Sequence, residues 1–220
     1  MTSNNQARRI LITAGPAVTQ IDAVRQITNH STGGLGSQLT EQLSLQQHSV
    51  TLLRSRYCTA PPPAGKHHHV SFTCGKSLLD EIRRLSREQP FDAVWHAAAV
   101  GDFAIEKITD EEGNLLDHQQ KIQSRSGKIQ LHLIPAPKLL EEFRSLFPGS
   151  CIVGWKYETD GTREDVYGKA RQQIARCSID ACVANGLPFH NQFHICQPGK
   201  TVTIAHDAGD LARVLLSLIH

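Results

Sequence analysis

The sequence predicts an α/β domain: a three-layer, Rossmann-like arrangement with a mainly parallel sheet, carrying a flap and a terminal β-hairpin. Three observations point there. Short apolar runs rich in β-branched residues alternate with helical patterns along almost the whole chain. Turn signals such as Gly15-Pro16 and Pro61-Pro62-Pro63-Ala64-Gly65 fall between those runs. The length of 220 residues, 40% hydrophobic and 20% charged, suits one domain over 1–220 that buries a full core without metal or disulfide staples.

Each element has a local reason. Arg9-Ile-Leu-Ile-Thr-Ala14 reads as a strand, because β-branched side chains fit a pleated, buried surface. A helix is expected over 36–47, where Leu35, Leu39, Leu43 and Leu45 form an approximate apolar face. Strands over 49–53 and 70–74 flank the proline-rich loop, and Leu78, Leu79, Ile82 and Leu85 share one face of a helix over 78–85. The run 93–100 reads as a buried strand entering a small-residue turn. The stretch 104–126 is charged, rich in Gln and Asp and without clear period, so a surface excursion or mobile flap reaching to about 128 is expected. Alternation returns over 129–134, and Pro137 suits the first turn of a helix to Phe147. A strand over 151–155, a helix over 163–176 and a strand over 181–184 follow. His194-Ile195 and 201–204 form the terminal hairpin, and Asp207 caps a last helix ending near Leu218.

Charge narrows the partners. There are 23 Lys and Arg against 21 Asp and Glu, a formal net charge of +2. That excess is too small to make nucleic acid or an anionic membrane the main partner. No run of 18 apolar residues occurs, and the apolar run 10–14 is shorter than a signal-peptide core. The six cysteines, Cys58, Cys74, Cys151, Cys177, Cys182 and Cys196, contain no CxxC pair and read as reduced, mostly buried thiols of a cytoplasmic protein.

In open parallel sheets, ligands bind beyond the carboxyl ends of the strands, and three loops there have unusual composition. Asn29-His30-Ser31-Thr32-Gly33-Gly34-Leu35-Gly36 precedes a helix, where glycines let backbone N–H groups approach a phosphate; a plain tight turn has the same composition. Its spacing is neither GxGxxG nor GxxxxGK[ST], so the dinucleotide and Walker readings fail. In Ala97-Ala98-Ala99-Val100-Gly101-Asp102-Phe103, small residues let a planar group lie against the backbone, and Asp102 is an acceptor there or a helix N-cap. Lys121-Ile122-Gln123-Ser124-Arg125-Ser126-Gly127-Lys128 folds over polyphosphate or simply faces solvent. His67-His68-His69 makes a poor single metal site, because neighbours on a strand point to opposite faces. His30 and Ser31 lack the third group of a hydrolase triad.

These loops, in this order, resemble phosphopantothenoylcysteine synthetase. The family's Asp-x-Val-Arg-x-Ile-x-Asn-x-Ser-Ser-Gly segment appears as Asp22-Ala23-Val24-Arg25-Gln26-Ile27-Thr28-Asn29-His30-Ser31-Thr32-Gly33. Its Ala-Ala-Val-x-Asp-aromatic turn appears as Ala98-Ala99-Val100-Gly101-Asp102-Phe103, and its later strands as Val153-Gly154-Trp155-Lys156-Tyr157-Glu158-Thr159 and Val183-Ala184-Asn185. The resemblance implies a ligase of coenzyme A biosynthesis. A nucleoside triphosphate, CTP or ATP with Mg2+, converts 4'-phosphopantothenate to an acyl-nucleotide, and the amine of cysteine displaces the nucleoside monophosphate. It implies catalytic roles for Asn29 and Lys121. It implies nucleotide contacts at Gly15, Ser31, Gly33 and Gly36, at His96, Ala97, Ala98 and Asp102, and at Ala136, Pro137, Lys138 and Leu139. Trp155, Lys169 and Gln173 complete that set, while metal ligands stay unassigned. It also implies a homodimer in which the excursion of one subunit helps cover the other's site.

The chain departs from the bacterial pattern where Gly34 stands at a lysine position and where Gln173 and Cys177 replace helix lysines. Lys121-Ile122-Gln123-Ser124 and Ala136-Pro137-Lys138-Leu139 are closer to animal-type enzymes. Base preference stays open between CTP and ATP, and so does a non-catalytic nucleotide- or flavin-binding homologue. A nicotinamide reductase is disfavoured, since neither the glycine fingerprint nor a Tyr-x-x-x-Lys pair occurs. Lys107-Ile108 is a second Lys-Ile pair, but only the one at Lys121 leads directly into the following strand.

Overall fold

The structure, a computed structural model, describes residues 6–220. Its central strand is β1 (Arg9–Ala14), buried at every residue after Arg9. A short antiparallel ribbon follows, β2 (Thr19–Gln20) with β3 (Gln26–Ile27), which the sequence reading did not anticipate. Next come α1 (Gly34–Leu45), β4 (Ser49–Ser55), β5 (His68–Phe72), α2 (Gly75–Glu88) and β6 (Ala93–His96). A second antiparallel ribbon pairs β7 (Phe103–Thr109) with β8 (Gln130–Pro135). Then follow a 3-10 turn over Leu139–Glu142 and the single-turn helix α3 (Phe143–Leu146). The chain ends with β9 (Cys151–Glu158), α4 (Arg163–Cys177), β10 (Ala181–Gly186), β11 (Phe193–Cys196), β12 (Thr203–Ala205) and α5 (Ala208–Leu216).

Eight strands form the main sheet in the order β12-β11-β10-β9-β6-β1-β4-β5. The six from β5 to β10 are parallel, and β11 and β12 add the antiparallel terminal hairpin. Strand order runs from β1 outward to β4 and β5 on one side, and from β6 to β9 and β10 on the other. That reversal opens a crevice at the carboxyl ends of β1 and β6.

Alternation along each strand feeds two cores. Ile10, Ile12, Trp95 and Val183 pack with Leu39 and Leu43 of α1 and Leu211 and Leu215 of α5. Leu11, Val94, Ile152 and Cys182 pack on the opposite face with Leu78 and Ile82 of α2, Phe143 of α3, and Val166 and Ala170 of α4. Each fully buried Leu or Phe contributes about 1.5–3 kcal/mol. Helices α4 and α5 begin with side-chain caps, Thr162 accepting from the Asp165 N–H and Asp207 from the Asp210 N–H.

Three expectations are revised. The flap does not begin without structure: 103–109 is a strand, and its counterpart β8 makes the ribbon. The helix expected from Pro137 is a 3-10 turn followed by one α turn, which buries Leu139, Phe143 and Phe147. The strand at 93–100 stops at His96, so Ala97 to Asp102 is all loop. No described helix is long and apolar enough to cross a membrane.

Candidate functional site

The crevice is a cleft of about 720 Å3 whose floor is the carboxyl ends of the parallel strands. On one side stands the start of α1. Gly33, its N-cap residue, is left-handed (φ 78°) and offers no side-chain cap, so the helix's first N–H groups face outward. The Gly34 N–H finds Thr32 Oγ1 at 3.2 Å; those of Leu35 and Gly36 have no intrahelical acceptor. Together with the macrodipole, these groups can hold an anion.

Glycine is obligatory at three places around it. A Cβ on Gly15 (φ 89°) would meet Cys58 Sγ at 2.2 Å, and one on Gly33 would meet the same sulfur at 2.3 Å. A Cβ on Gly36 would lie 2.4 Å from Ala14 Cβ, so this glycine lets α1 press onto β1. The three perform the tight turn, the backbone approach and the helix–strand contact of a dinucleotide fingerprint, although the stretch between Gly15 and Gly33 hides the spacing.

The loop after β6 makes the floor. Thr13 Oγ1 accepts from the Ala98 N–H (3.1 Å) and lies 2.8 Å from His96 Nδ1. The hydroxyl, with one donor and two acceptor sites, pairs with Nδ1 in either imidazole tautomer. Burial pushes the His96 pKa down to about 4, so the ring is neutral at neutral pH. Asp102 does not cap a helix; it ion-pairs with Lys138 at the cleft mouth, and its carbonyl accepts from the Ala136 N–H.

The flap is anchored at one point. Asp22, fully buried in the β2–β3 turn, accepts from the Val24 and Arg25 N–H groups, from the Arg25 guanidinium and from the Ile122 N–H at 3.1 Å. Arg25 Nη2 in turn donates to the Ile122 carbonyl at 2.7 Å. The hydrogen-bonded guanidinium, aided by the three backbone donors, outweighs burial and holds the Asp22 carboxyl far below the usual carboxylate range. Ile122 itself is buried, while Lys121 beside it is exposed.

On the far side, Gln173 Nε2 donates to the Trp155 carbonyl at 3.3 Å. Trp155 Nε1 and Asn185 Oδ1 are buried without a hydrogen-bond partner among the described residues. Glu158 binds Lys156 at 3.0 Å and Lys169 at 2.6 Å. Burial opposes its charge, but the two ammonium groups prevail and keep its carboxyl below the ordinary value.

The cleft therefore gathers most of the expected residues. Asn29, Ser31, Gly33 and Gly36 line one wall, and His96, Ala97, Ala98 and Asp102 the floor. Pro137, Lys138 and Leu139 line the mouth, with Trp155 and Gln173 opposite. Gly15 sits behind the wall, its carbonyl accepting from the Ala99 N–H, and Ala136 supports Asp102 from behind. Lys169 turns to Glu158, and Lys121 rides on the flap; neither lines the cleft. Arg176 and Asn185 line it without having been singled out for contact. A hollow of about 990 Å3 lies at the opposite end of the sheet, at the amino ends of β6, β9 and β10, but its Arg144 is occupied by Asp180 and by the Ser150 and Ser178 carbonyls.

Known proteins share this architecture. The coenzyme A biosynthesis bifunctional protein CoaBC of Thermococcus kodakarensis is 31% identical over 183 residues, 83% of this chain; the chain spans 42% of that relative's length. The DNA/pantothenate metabolism flavoprotein of Streptococcus pneumoniae superposes with a TM-score of 0.83 at 27% identity, covering 96% of this chain and 97% of that one. A Cab2 variant in complex with phosphopantothenate-cysteine shares the fold with a TM-score of 0.77 at 19% identity, covering 96% of this chain and 85% of that one. The family model for the DNA/pantothenate metabolism flavoprotein C-terminal domain matches residues 5–215, and the chain belongs to that family.

Proposed function

We propose that this chain is a phosphopantothenate–cysteine ligase, which forms an acyl-nucleotide from 4'-phosphopantothenate and CTP or ATP and resolves it with L-cysteine. The observation that carries the reading is the cleft at the β1–β6 switch point, in a chain of this family. It combines unspent helix N–H groups for phosphate, the Asn29 amide, and a floor of small residues for a planar base. In the first step the substrate carboxylate attacks the α-phosphorus and pyrophosphate leaves. In the second the cysteine amine attacks the acyl carbon, and the nucleoside monophosphate leaves with the C–O bonding pair.

Roles follow from chemistry. The Asn29 amide donates to the acyl oxygen as charge develops there, and the Lys121 ammonium meets the α-phosphate when the flap closes. Gly15, Ser31, Gly33 and Gly36 form the phosphate wall, and His96, Ala97, Ala98 and Asp102 the nucleotide floor. Ala136, Pro137, Lys138 and Leu139 approach base and sugar, with Trp155, Gln173 and Lys169 on the far side. Neutral His96 offers its ring as a polar group at the floor without adding charge. Among the cleft-lining residues Asp102 is the one carboxylate, so Mg2+ fits here as an ion held mainly by the triphosphate oxygens. It would supply charge neutralisation at the phosphates.

The active form is proposed to be a cytoplasmic homodimer. Val24 (62% exposed), Ile27, Phe103, Leu133 and Ile134 put exposed apolar side chains on the two ribbons, a surface suited to a second copy. A purely monomeric, fully active chain in sedimentation would contradict this. The activity is tested by pyrophosphate release with phosphopantothenate and each nucleotide in turn, then by product formation on adding cysteine. Release with CTP, ATP or both is expected; release with neither, while nucleotide still binds, favours the non-catalytic homologue.

A further inference from the structure

The β2–β3 turn lies outside the cleft, yet it holds the most heavily hydrogen-bonded carboxylate described above. A fully buried aspartate in a five-residue link between two-residue strands is expensive unless it fixes something. What it fixes is distant in sequence. Ile122, 100 residues from Asp22, has its N–H taken by Asp22 Oδ2 and its carbonyl by Arg25 Nη2. Both backbone groups of one residue are therefore paired by one ion pair, as a neighbouring strand would pair them, and the Ile122 side chain is buried as well.

Each of those bonds constrains the residue beside it. With Ile122 held at N–H, carbonyl and side chain, the φ and ψ of its peptide neighbours are restricted, and Lys121 projects from a fixed root. Arg25 stands four residues before Asn29, a span of at most about 14 Å. The segment carrying one proposed catalytic group is thus fastened to the segment carrying the other. The geometry points to Asp22 and Arg25 as positioning residues that register the flap at Ile122 and so set where Lys121 can reach. This rests on Lys121 acting in the ligase reaction proposed above. A guanidinium is suited to the task, since its planar fork bonds a carboxylate and a carbonyl at once, which an ammonium does less well.

Hydrogen exchange at the Ile122 amide in the full chain, together with pyrophosphate release, tests it. Arg25→Gln is the variant of choice, because the arginine side chain is 43% exposed and its loss leaves the core intact. The Ile122 amide is expected to exchange at least about tenfold faster, with the amides of β1 unchanged. Pyrophosphate release should fall toward the level of Lys121→Ala. Adding Arg25→Gln to Lys121→Ala should then cost less than about twofold more, because no ammonium is left to position. Arg25→Lys should recover little of either property.

Unchanged Ile122 exchange in Arg25→Gln overturns the tether. Fully multiplicative losses in the double variant overturn the link to Lys121. If the native chain releases no pyrophosphate while Arg25→Gln still speeds exchange at Ile122, the ligase reading falls and the tether stands. Asp22→Asn, which keeps the size and removes the charge, should reproduce the exchange result if it folds; Arg25→Gln decides the matter if it does not.

Discussion

The two sides of the cleft are built on different principles. The α1 wall is held by sterics: three glycines touch a strand or a sulfur so closely that no other residue fits, and its donors are backbone N–H groups already pointing outward. The flap side is held by electrostatics at a single residue, with exposed chain on either side of Ile122. A wall of the first kind is preorganised and does not move when charge develops in front of it. One of the second kind can lift and close while its root stays in register, which admits substrate and then excludes water. The contrast also separates two kinds of failure: damage to the wall's glycines should remove binding and stability together, whereas damage to the flap should remove rate alone.

The largest effect should come from the wall. Gly33→Ala adds a Cβ against Cys58 Sγ at a left-handed backbone position, so we expect nucleotide affinity to fall at least about 100-fold, with a loss of about 1–3 kcal/mol in stability. Calorimetric titration and thermal melting check both. A variant that binds normally would end the distinction between the two walls.

Next come the two proposed catalytic groups. Asn29→Asp should fold normally, because Asn29 is exposed, and lose on the order of 100-fold in turnover, the scale of an oxyanion donor. Lys121→Ala should slow acyl-nucleotide formation comparably at unchanged melting temperature, while Lys107→Ala has a minor effect. Pyrophosphate release without cysteine measures both lysine variants, and a crippled Lys107→Ala would assign the role to Lys107 instead.

Acid should attack the floor before it attacks the clamp. Buried His96 stays neutral down to about pH 4, whereas in the unfolded chain it binds a proton near pH 6.5. Below pH 6.5 the unfolded state therefore gains protons that the native state refuses, and stability falls as pH drops toward 4. The expected loss from His96 is about 2 kcal/mol between pH 7 and pH 5. His48, His69 and His194, also lowered by burial, act in the same direction. Asp22 works in the other window: its depressed pKa stabilises the fold above the ordinary carboxylate range, and that contribution is lost only as pH falls below about 4. Denaturant titrations of the native chain and His96→Gln should differ in slope from pH 5 to 7; identical slopes would remove His96 as the cause.

The smallest change is a gain. Gly34 has an ordinary backbone, and its Cβ would meet only Thr32 Oγ1 at 3.2 Å and Ala60 Cβ at 3.7 Å. Gly34→Lys should therefore fit and tighten triphosphate binding by up to about tenfold at low salt, with the gain fading as salt rises. Equal affinity at every salt concentration would mean that the wall does not present its phosphate there.

The same contrast explains what could be read beforehand. The wall and the floor were legible because their parts are local: glycines before a helix, small residues after a buried strand. The parallel sheet was legible from the spacing of its apolar runs. The flap's strand and its anchor were not, for two physical reasons. Its strand β7 carries a register shift between Ile105 and Lys107, which breaks the alternation that marks a strand. Its anchor joins residues about 100 apart, and although Asp22 and Arg25 stand in the quoted motif, nothing nearby in sequence names Ile122 as their partner. The expected helix after Pro137 failed more simply: Leu139, Phe143 and Phe147 keep the spacing of a helical face, but only one α turn forms between them.

The length of that connection also orders the assembly of the chain. Closing a loop from Asp22 to Ile122 in an otherwise open chain spans 100 residues. Once β1 has docked beside β6, with Thr13 opposite His96, nine residues on one side and twenty-six on the other remain to be gathered in. The closure entropy then shrinks by about 0.9 kcal/mol. The ion pair at Ile122 is accordingly a late event that ratifies a finished sheet, and a nascent chain would carry its two ribbons apart until the central strands had met.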